Sequence, residues 1–214
     1  MQPEILKINA ETPEASLVTY AAEQIKKGFV LGMPTDTFYG LAADPYNLRA
    51  VERIYDIKER DRHKPLSLLI ESVEQAELLA NHLPDEFHLL AEKFWPGPLT
   101  IIVKASSRLP LKVTANTGNI AVRLPAAGIP VAIVRAAGVP ITATSANLSG
   151  FAECTTAQAV HGQFQDRVSM IIDGGASTRN LPSTIVNLAD SGHWRLMREG
   201  AIPVQEIEDI LGDQ

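Results

Sequence analysis

One cysteine in 214 residues, Cys154, leaves no intrachain disulfide and no metal centre built from several thiolates. Aromatic residues are also scarce, at 6%, and none interrupts the densest basic run, so a base-stacking platform for RNA has no support. No segment approaches the roughly 18 unbroken apolar residues of a membrane span. The N-terminal MQPEILKINAETPEAS has no basic flank followed by an apolar core, so no signal peptide is expected. The expectation is a soluble, cytoplasmic protein with no membrane partner. His63, His82, His88, His161 and His193 show no metal-ligand spacing. Neither a P-loop nor a G-x-G-x-x-G turn occurs, and there is no G-x-S-x-G elbow. Ser145-Ala146-Asn147 loosely echoes the S-D-N of serine β-lactamases, but S-x-x-K and K-T-G are missing, so that chemistry is excluded.

What is present suits one large domain with a sizeable core: 45% of residues are hydrophobic and 21% charged. Leu17, Ala21 and Ile25 mark an amphipathic helix over Glu14–Lys27 that stops before Gly28. Asn47 can cap a helix from Leu48 to about Lys58, with Val51, Ile54 and Tyr55 facing inward. Two more helical stretches carry Val73, Ala76 and Leu79, then Phe87, Leu90, Ala91 and Phe94, and Val131–Ala137 is a further helix. Strands are expected at Phe29–Met33, Leu66–Ile70, Leu99–Val103, Ile120–Leu124, Ile141–Thr144, Val168–Asp173, Ser183–Leu188 and Trp194–Met197. Interleaved strands and helices with no dividing linker predict an α/β or α+β sheet covered by helices.

The formal net charge is −6, which argues against coating nucleic acid through the overall field. Within that acidic chain, Lys58, Arg60, Arg62 and Lys64 fall on alternate positions of KERDRHK. In an extended segment, alternate side chains share a face. The pattern therefore predicts one crowded cationic face just before the apolar run Leu66–Ile70. Other polar residues gather at strand ends: Thr35, Asp36, Thr37 and Tyr39; Arg123; Thr144, Ser145, Asn147 and Ser149; Ser183 and Thr184; Arg198. Singly each has a plain reading, such as Arg123 pairing with a structural carboxylate or Tyr39 sitting in the core. Jointly, hydroxyls, amides and guanidiniums with no nucleophile–base pair suggest a site that binds an anion and stabilises developing charge.

Together these residues resemble the YrdC family of L-threonylcarbamoyladenylate synthases. The resemblance runs from about Gly28 to Ile202. It rests on PT-x-T-x-YGL (Pro34–Leu41), K-x-R (Lys58, Arg60), PL (Pro65, Leu66), WPGPLT (Trp95–Thr100), R-x-P (Arg123, Pro125), SANLSG (Ser145–Gly150), ST (Ser183, Thr184) and R-x-G (Arg198, Gly200). It implies a YrdC-like α/β fold: a twisted mixed sheet flanked by helices around a concave, positively charged cavity. It also implies one domain over residues 1–214, with the motif-bearing core at about 14–202, similar to the single-domain form.

The implied reaction condenses L-threonine, bicarbonate and ATP, with Mg²⁺ on the phosphates and no dedicated protein metal site, into threonylcarbamoyl-AMP and pyrophosphate. Partner proteins would then pass the activated group to an adenosine in tRNA. By this resemblance Lys58 and Arg60 hold the phosphates and are the catalytic pair. Lys64, Ser145, Asn147 and Arg198 complete the nucleotide site, while Thr37, Arg123 and Ser183 hold threonine. Two positions depart from the pattern: Asp61 stands where many members have Pro, and Leu69 where many have a threonine-contacting His. The rival readings are an RNA-binding module of the same fold, for which only weak RNA binding is expected, and a carbamoyl-transfer domain.

Overall fold

A computed structural model describes residues 2–177, 179–190 and 193–212. The first half of the chain forms β1 (Glu4–Lys7), α1 (Ala15–Lys26), β2 (Leu31–Met33), β3 (Gly40–Ala42), α2 (Leu48–Lys58), β4 (Ser67–Leu69), α3 (Val73–Leu79), α4 (Asp85–Phe94) and β5 (Leu99–Lys104). The second half adds β6 (Asn119–Arg123), α5 (Gly128–Ala137), β7 (Ile141–Thr142), β8 (Thr144–Ser145), α6 (Ala157–Phe164), β9 (Met170–Asp173), β10 (Thr184–Asn187), β11 (Arg195–Arg198) and α7 (Val204–Leu211). The expected mixed α/β architecture is present, with its strands divided between two mixed sheets. One runs β1-β9-β2-β3-β8 and the other β11-β10-β5-β6-β4-β7.

The strand expected over Ile141–Thr144 is the seam between the sheets. β7 pairs with β4 in the six-stranded sheet, and β8 pairs with β3 in the five-stranded one. Between them, the Ala143 N–H donates to Ser67 O at 2.8 Å. Thr142, fully buried, fastens the crossing: its hydroxyl accepts from Ala43 N at 2.9 Å and donates to Leu41 O at 3.3 Å.

Period-two alternation decides which side chains reach the core. On β9, Met170 and Ile172 enter an apolar cluster with Val18, Ile25, Ile133 and Val134 of α1 and α5, while Ile171 enters the larger core. On β5 and β6, Leu99, Ile101, Val103, Ile120 and Val122 enter the larger core, so Thr100 and Arg123 emerge on the opposite face. That opposite face carries the candidate site.

Several helix ends differ from expectation for local reasons. α5 begins at Gly128 rather than Val131, because Pro130 falls in the first turn, where a backbone N–H has no intrahelical partner. α2 matches its expected span, with the Asn47 side chain accepting from Arg49 N and Ala50 N. It remains helical through Lys58, and Glu59 then takes a left-handed conformation (φ 52°) that ends it. The alternate-face argument for Lys58, Arg60, Arg62 and Lys64 requires an extended chain, so the single row of four cations does not form. β1, β3, α6 and α7 are additions to the elements read from the sequence.

Candidate active site

A cavity of about 180 Å³ lies between the face of the six-stranded sheet opposite its larger core and the loop-strand junctions of the other sheet. Its floor is a row of residues set by strand register. Arg198 pairs with Ile185, Ile185 pairs with Thr100, and Arg123 pairs with Leu69. All five line the cavity. Thr35, Thr37, Tyr39 and Ser145 form the facing wall. The charged lining residues are Arg60, Arg123, Arg198 and Glu153.

Arg123 is held by three kinds of acceptor. Its Nε donates to Gly97 O at 3.0 Å, its Nη1 to Thr37 Oγ1 at 3.0 Å, and its Nη2 to Asp36 Oδ1 in a buried ion pair. The WPGPLT stretch places that carbonyl. Trp95 Nε1 donates to Leu99 O at 2.7 Å, and Gly97 N donates to Leu124 O at 2.9 Å. A Cβ on Gly97 would lie 2.3 Å from Phe94 O, so only glycine fits. The plain reading of Arg123, a partner for a buried carboxylate, is thus correct, and the side chain still borders the cavity. A guanidinium has five N–H donors, so two remain beyond these three bonds.

Thr37 belongs to a directed chain of hydroxyls. Thr35 Oγ1 donates to Phe38 O at 2.7 Å. With that proton used, Thr37 is the donor in the 3.1 Å contact between the two threonines. Thr37 therefore receives from Arg123 and gives to Thr35, leaving one lone pair for a ligand.

The ST and R-x-G motifs lock onto each other. Thr184 Oγ1 accepts from Gly200 N and Ile202 N, each at 3.0 Å, and donates to Ile202 O at 2.6 Å. Gly200 is required because a Cβ would sit 2.3 Å from Pro182 O. This brings Arg198 back over Ser183: Nε and Nη2 reach Ser183 O at 3.1 and 2.9 Å, and Nη2 reaches Ser183 Oγ at 3.2 Å. Ser183 Oγ also contacts Thr100 Oγ1 at 2.8 Å.

Lys58 occupies a different place from the one its sequence position suggested. It is 2% exposed, and its ammonium donates to Ser145 O, to Asn147 O at 2.6 Å and to Asn147 Oδ1 at 3.2 Å. Ser145 Oγ donates to the same Asn147 Oδ1 at 2.6 Å, and Asn147 Nδ2 to Phe151 O at 2.7 Å. Lys58 therefore braces the SANLSG loop from behind the cavity wall. Burial, reinforced by nearby Arg60, pulls its pKa down to about 8. Arg60 reaches the cavity, anchored by Nη2 on Pro65 O at 2.9 Å. Arg62 turns away to Asp56 at 2.7 Å, and the exposed Lys64 contributes its carbonyl to Tyr55 OH at 3.0 Å rather than lining the cavity.

Of the nine residues selected from sequence, Thr37, Arg60, Arg123, Ser145, Ser183 and Arg198 line one cavity. Lys58 and Asn147 stand behind it, and Lys64 lies outside. Sequence reasoning gave no role to Thr100 or Asp36, although both lay inside recognised motifs. It missed Glu153 altogether, because FAEC has neither periodicity nor a motif to mark it. Tyr39 donates to Gly175 O at 2.6 Å, and burial pushes its hydroxyl up to about 12. Burial also pushes the Cys154 thiol up to about 11, so at neutral pH it is no nucleophile. The described residues contain no group of three His, Cys, Asp or Glu side chains able to hold a metal, and no helix among them is long and apolar enough to cross a membrane.

The Sua5/YciO/YrdC profile, described as telomere recombination, matches residues 23–200. The chain belongs to this family. It is 38% identical over 198 residues to a threonylcarbamoyl-AMP synthase of Pyrococcus abyssi, covering 92% of this chain and 57% of that protein. The structure of P. abyssi Sua5 complexed with L-threonine superposes with a TM-score of 0.93 at 37% identity, covering 97% of this chain and 61% of that one. Escherichia coli YciO gives a TM-score of 0.87 at 25% identity, covering 96% of this chain and 99% of that one. The chain thus spans little more than half the length of the P. abyssi relative. The Sua5/YciO/YrdC motifs recognised in the sequence are those that build the cavity and its supports.

Proposed function

We propose that this chain takes part in joining L-threonine, bicarbonate and ATP into threonylcarbamoyl-AMP, with release of pyrophosphate. The observation that carries this reading is the convergence of six motif residues, among them three guanidiniums and three hydroxyls, on one cavity without a nucleophile–base pair. The name of the P. abyssi synthase and the threonine held by P. abyssi Sua5 support the choice of substrate.

In the first step the threonine ammonium releases one proton to solvent; the neutral amine attacks the carbon of bicarbonate, a second N–H proton leaves with the bicarbonate hydroxyl as water, and a carbamate anion forms. In the second, a carbamate oxygen attacks the α-phosphorus, the bond to the bridging oxygen breaks, and pyrophosphate departs. The carbamate is already an anion, so this second step needs no base. It needs positioning and cancellation of charge. Two unit charges about 4 Å apart repel by about 4 kcal/mol at an effective dielectric near 20.

Arg123 and the free lone pair of Thr37 face the amino acid, with Arg123 reading the carboxylate through its two remaining N–H groups. Ser183 contributes its hydroxyl there. Arg60 and Arg198 meet the phosphates, and Lys58 adds charge from behind Ser145 and Asn147. Lys64 is exposed outside the cavity lining, so any contact it makes would be with the part of the nucleotide beyond the mouth. Typical pockets that enclose a small ligand measure roughly 300–1,000 Å³, so a cavity of about 180 Å³ would take threonine and the reacting phosphate. The rest of the nucleotide would lie across its mouth. Mg²⁺ enters with ATP as part of the substrate and neutralises phosphate oxygens. The product is a mixed anhydride, so partner proteins that transfer its acyl group to a tRNA adenosine complete the sequence, in the cytoplasm.

The test is pyrophosphate release from ATP with threonine and bicarbonate each omitted in turn. Dependence on both is expected. Unchanged release without threonine would identify an ATPase and end the proposal.

A further inference from the structure

We propose that Glu153 is the protein's ligand for the divalent cation carried by ATP, a role that rests on the nucleotide reading above. Glu153 is the one carboxylate among the cavity-lining residues. Among the described residues no hydrogen bond or ion pair engages it. The other carboxylate nearby, Asp36, is committed to Arg123. Glu153 shares the cavity lining with Arg60 and Arg198, the guanidiniums assigned above to the phosphates, and Arg198 and Lys58 are near enough to act on its charge.

A bare carboxylate there would repel a triphosphate, and a cation between the two removes the conflict. Mg²⁺ suits this position because it is commonly held by one or two carboxylates together with substrate phosphates rather than by an all-protein cage. That pattern agrees with the lack of a three-ligand cluster among the described residues. The neighbouring Arg198 and Lys58 would oppose a metal arriving without phosphates, so the ion and the nucleotide bind as a unit. Burial raises the Glu153 pKa from its ordinary value, and a cation beside it would act in the opposite direction.

The experiment measures binding, not turnover. Mn²⁺ affinity for the complex with a non-hydrolysable ATP analogue is read by electron paramagnetic resonance in wild type, Glu153→Gln and Glu153→Asp. Affinity for the same analogue in EDTA is measured alongside. Glu153→Gln should weaken Mn²⁺ binding at least fivefold while binding the metal-free analogue more tightly, and Glu153→Asp should retain part of the metal affinity. This opposition of signs is the diagnostic, since a purely structural role would move both affinities the same way. Parallel losses, unchanged Mn²⁺ affinity, or weakened threonine binding with Mn²⁺ binding intact would each overturn the proposal. A wild-type protein that binds no analogue at all would overturn the functional reading itself, and this inference with it.

Discussion

At the scale of single residues, the two buried cations differ in how their charge is tolerated. Lys58 is desolvated and meets only neutral oxygens, and its folded pKa near 8 lies below the ordinary 10.5. The unfolded chain therefore binds more protons between these values, and stability rises with pH across that window. The contribution is full above about pH 10.5 and is lost as pH falls through about 8. Its slope is at most about 1.4 kcal/mol per pH unit. Urea unfolding of wild type and Lys58→Met should show a stability difference that grows in favour of wild type from pH 8 to 10. A pH-independent difference would mean that Lys58 is not desolvated.

Arg123 instead has a full counter-charge. Both members of its pair with Asp36 are over nine-tenths buried, at 7% and 6% exposure. Removing one partner of such a pair typically costs about 3–5 kcal/mol, whereas replacing both by apolar side chains can be neutral. Asp36→Ala should destabilise the protein within that range, and Asp36→Leu with Arg123→Met should recover most of the loss. The double variant should nonetheless fail to saturate with threonine. Normal threonine saturation in it would remove Arg123 from the amino-acid site.

At the scale of elements, the floor of the cavity was legible because a strand repeats every two residues. Once Val122 and Ile101 are read as core, Arg123 and Thr100 must face the other way. The single cationic face expected of Lys58, Arg60, Arg62 and Lys64 came from the same rule applied where it does not hold, since the chain there is a helix end followed by turns. Glu153 was invisible because loop residues are placed by their neighbours in space, not by any spacing in sequence. α7 did carry a readable stripe, with Val204, Ile207, Ile210 and Leu211 at helical intervals. β1 is only four residues long and largely exposed, with little alternation to read. The split at Ala143 has no local signature, because the stretch 141–145, with Thr at every second position, reads as one strand as easily as two. That seam is testable through Thr142. Thr142→Val keeps shape but leaves Ala43 N and Leu41 O without their hydroxyl partner, and an unsatisfied buried group costs about 1–3 kcal/mol. Thermal unfolding should fall accordingly while remaining a single transition, and an unchanged melting temperature would show that the hydroxyl does not fasten the seam.

At the scale of the whole molecule, a net charge of −6 coexists with three guanidiniums drawn into one concavity. Long polyanions meet the average surface as well as the concavity, so RNA should bind weakly and ATP should compete with it. A protein that neutralises several phosphates of a single strand loses affinity with a logarithmic salt slope near −0.7 per contact. The slope measured here should correspond to very few contacts. Steep, salt-sensitive binding that ATP does not displace would support the RNA-binding reading instead.

The cations of the site are already occupied at rest: Arg60 by Pro65 O, Arg198 by Ser183 O, Arg123 by Asp36 and Lys58 by Asn147 O. An incoming anion has to displace, or share a cation with, an internal oxygen that is held in good geometry. Chloride offers one charge at one point and gains little from that exchange. A ligand that presents several anionic oxygens at once replaces several internal contacts in a single event. The resting bonds thus act as a filter against the background electrolyte, keeping the concavity open for polyvalent guests in a medium crowded with simple salts.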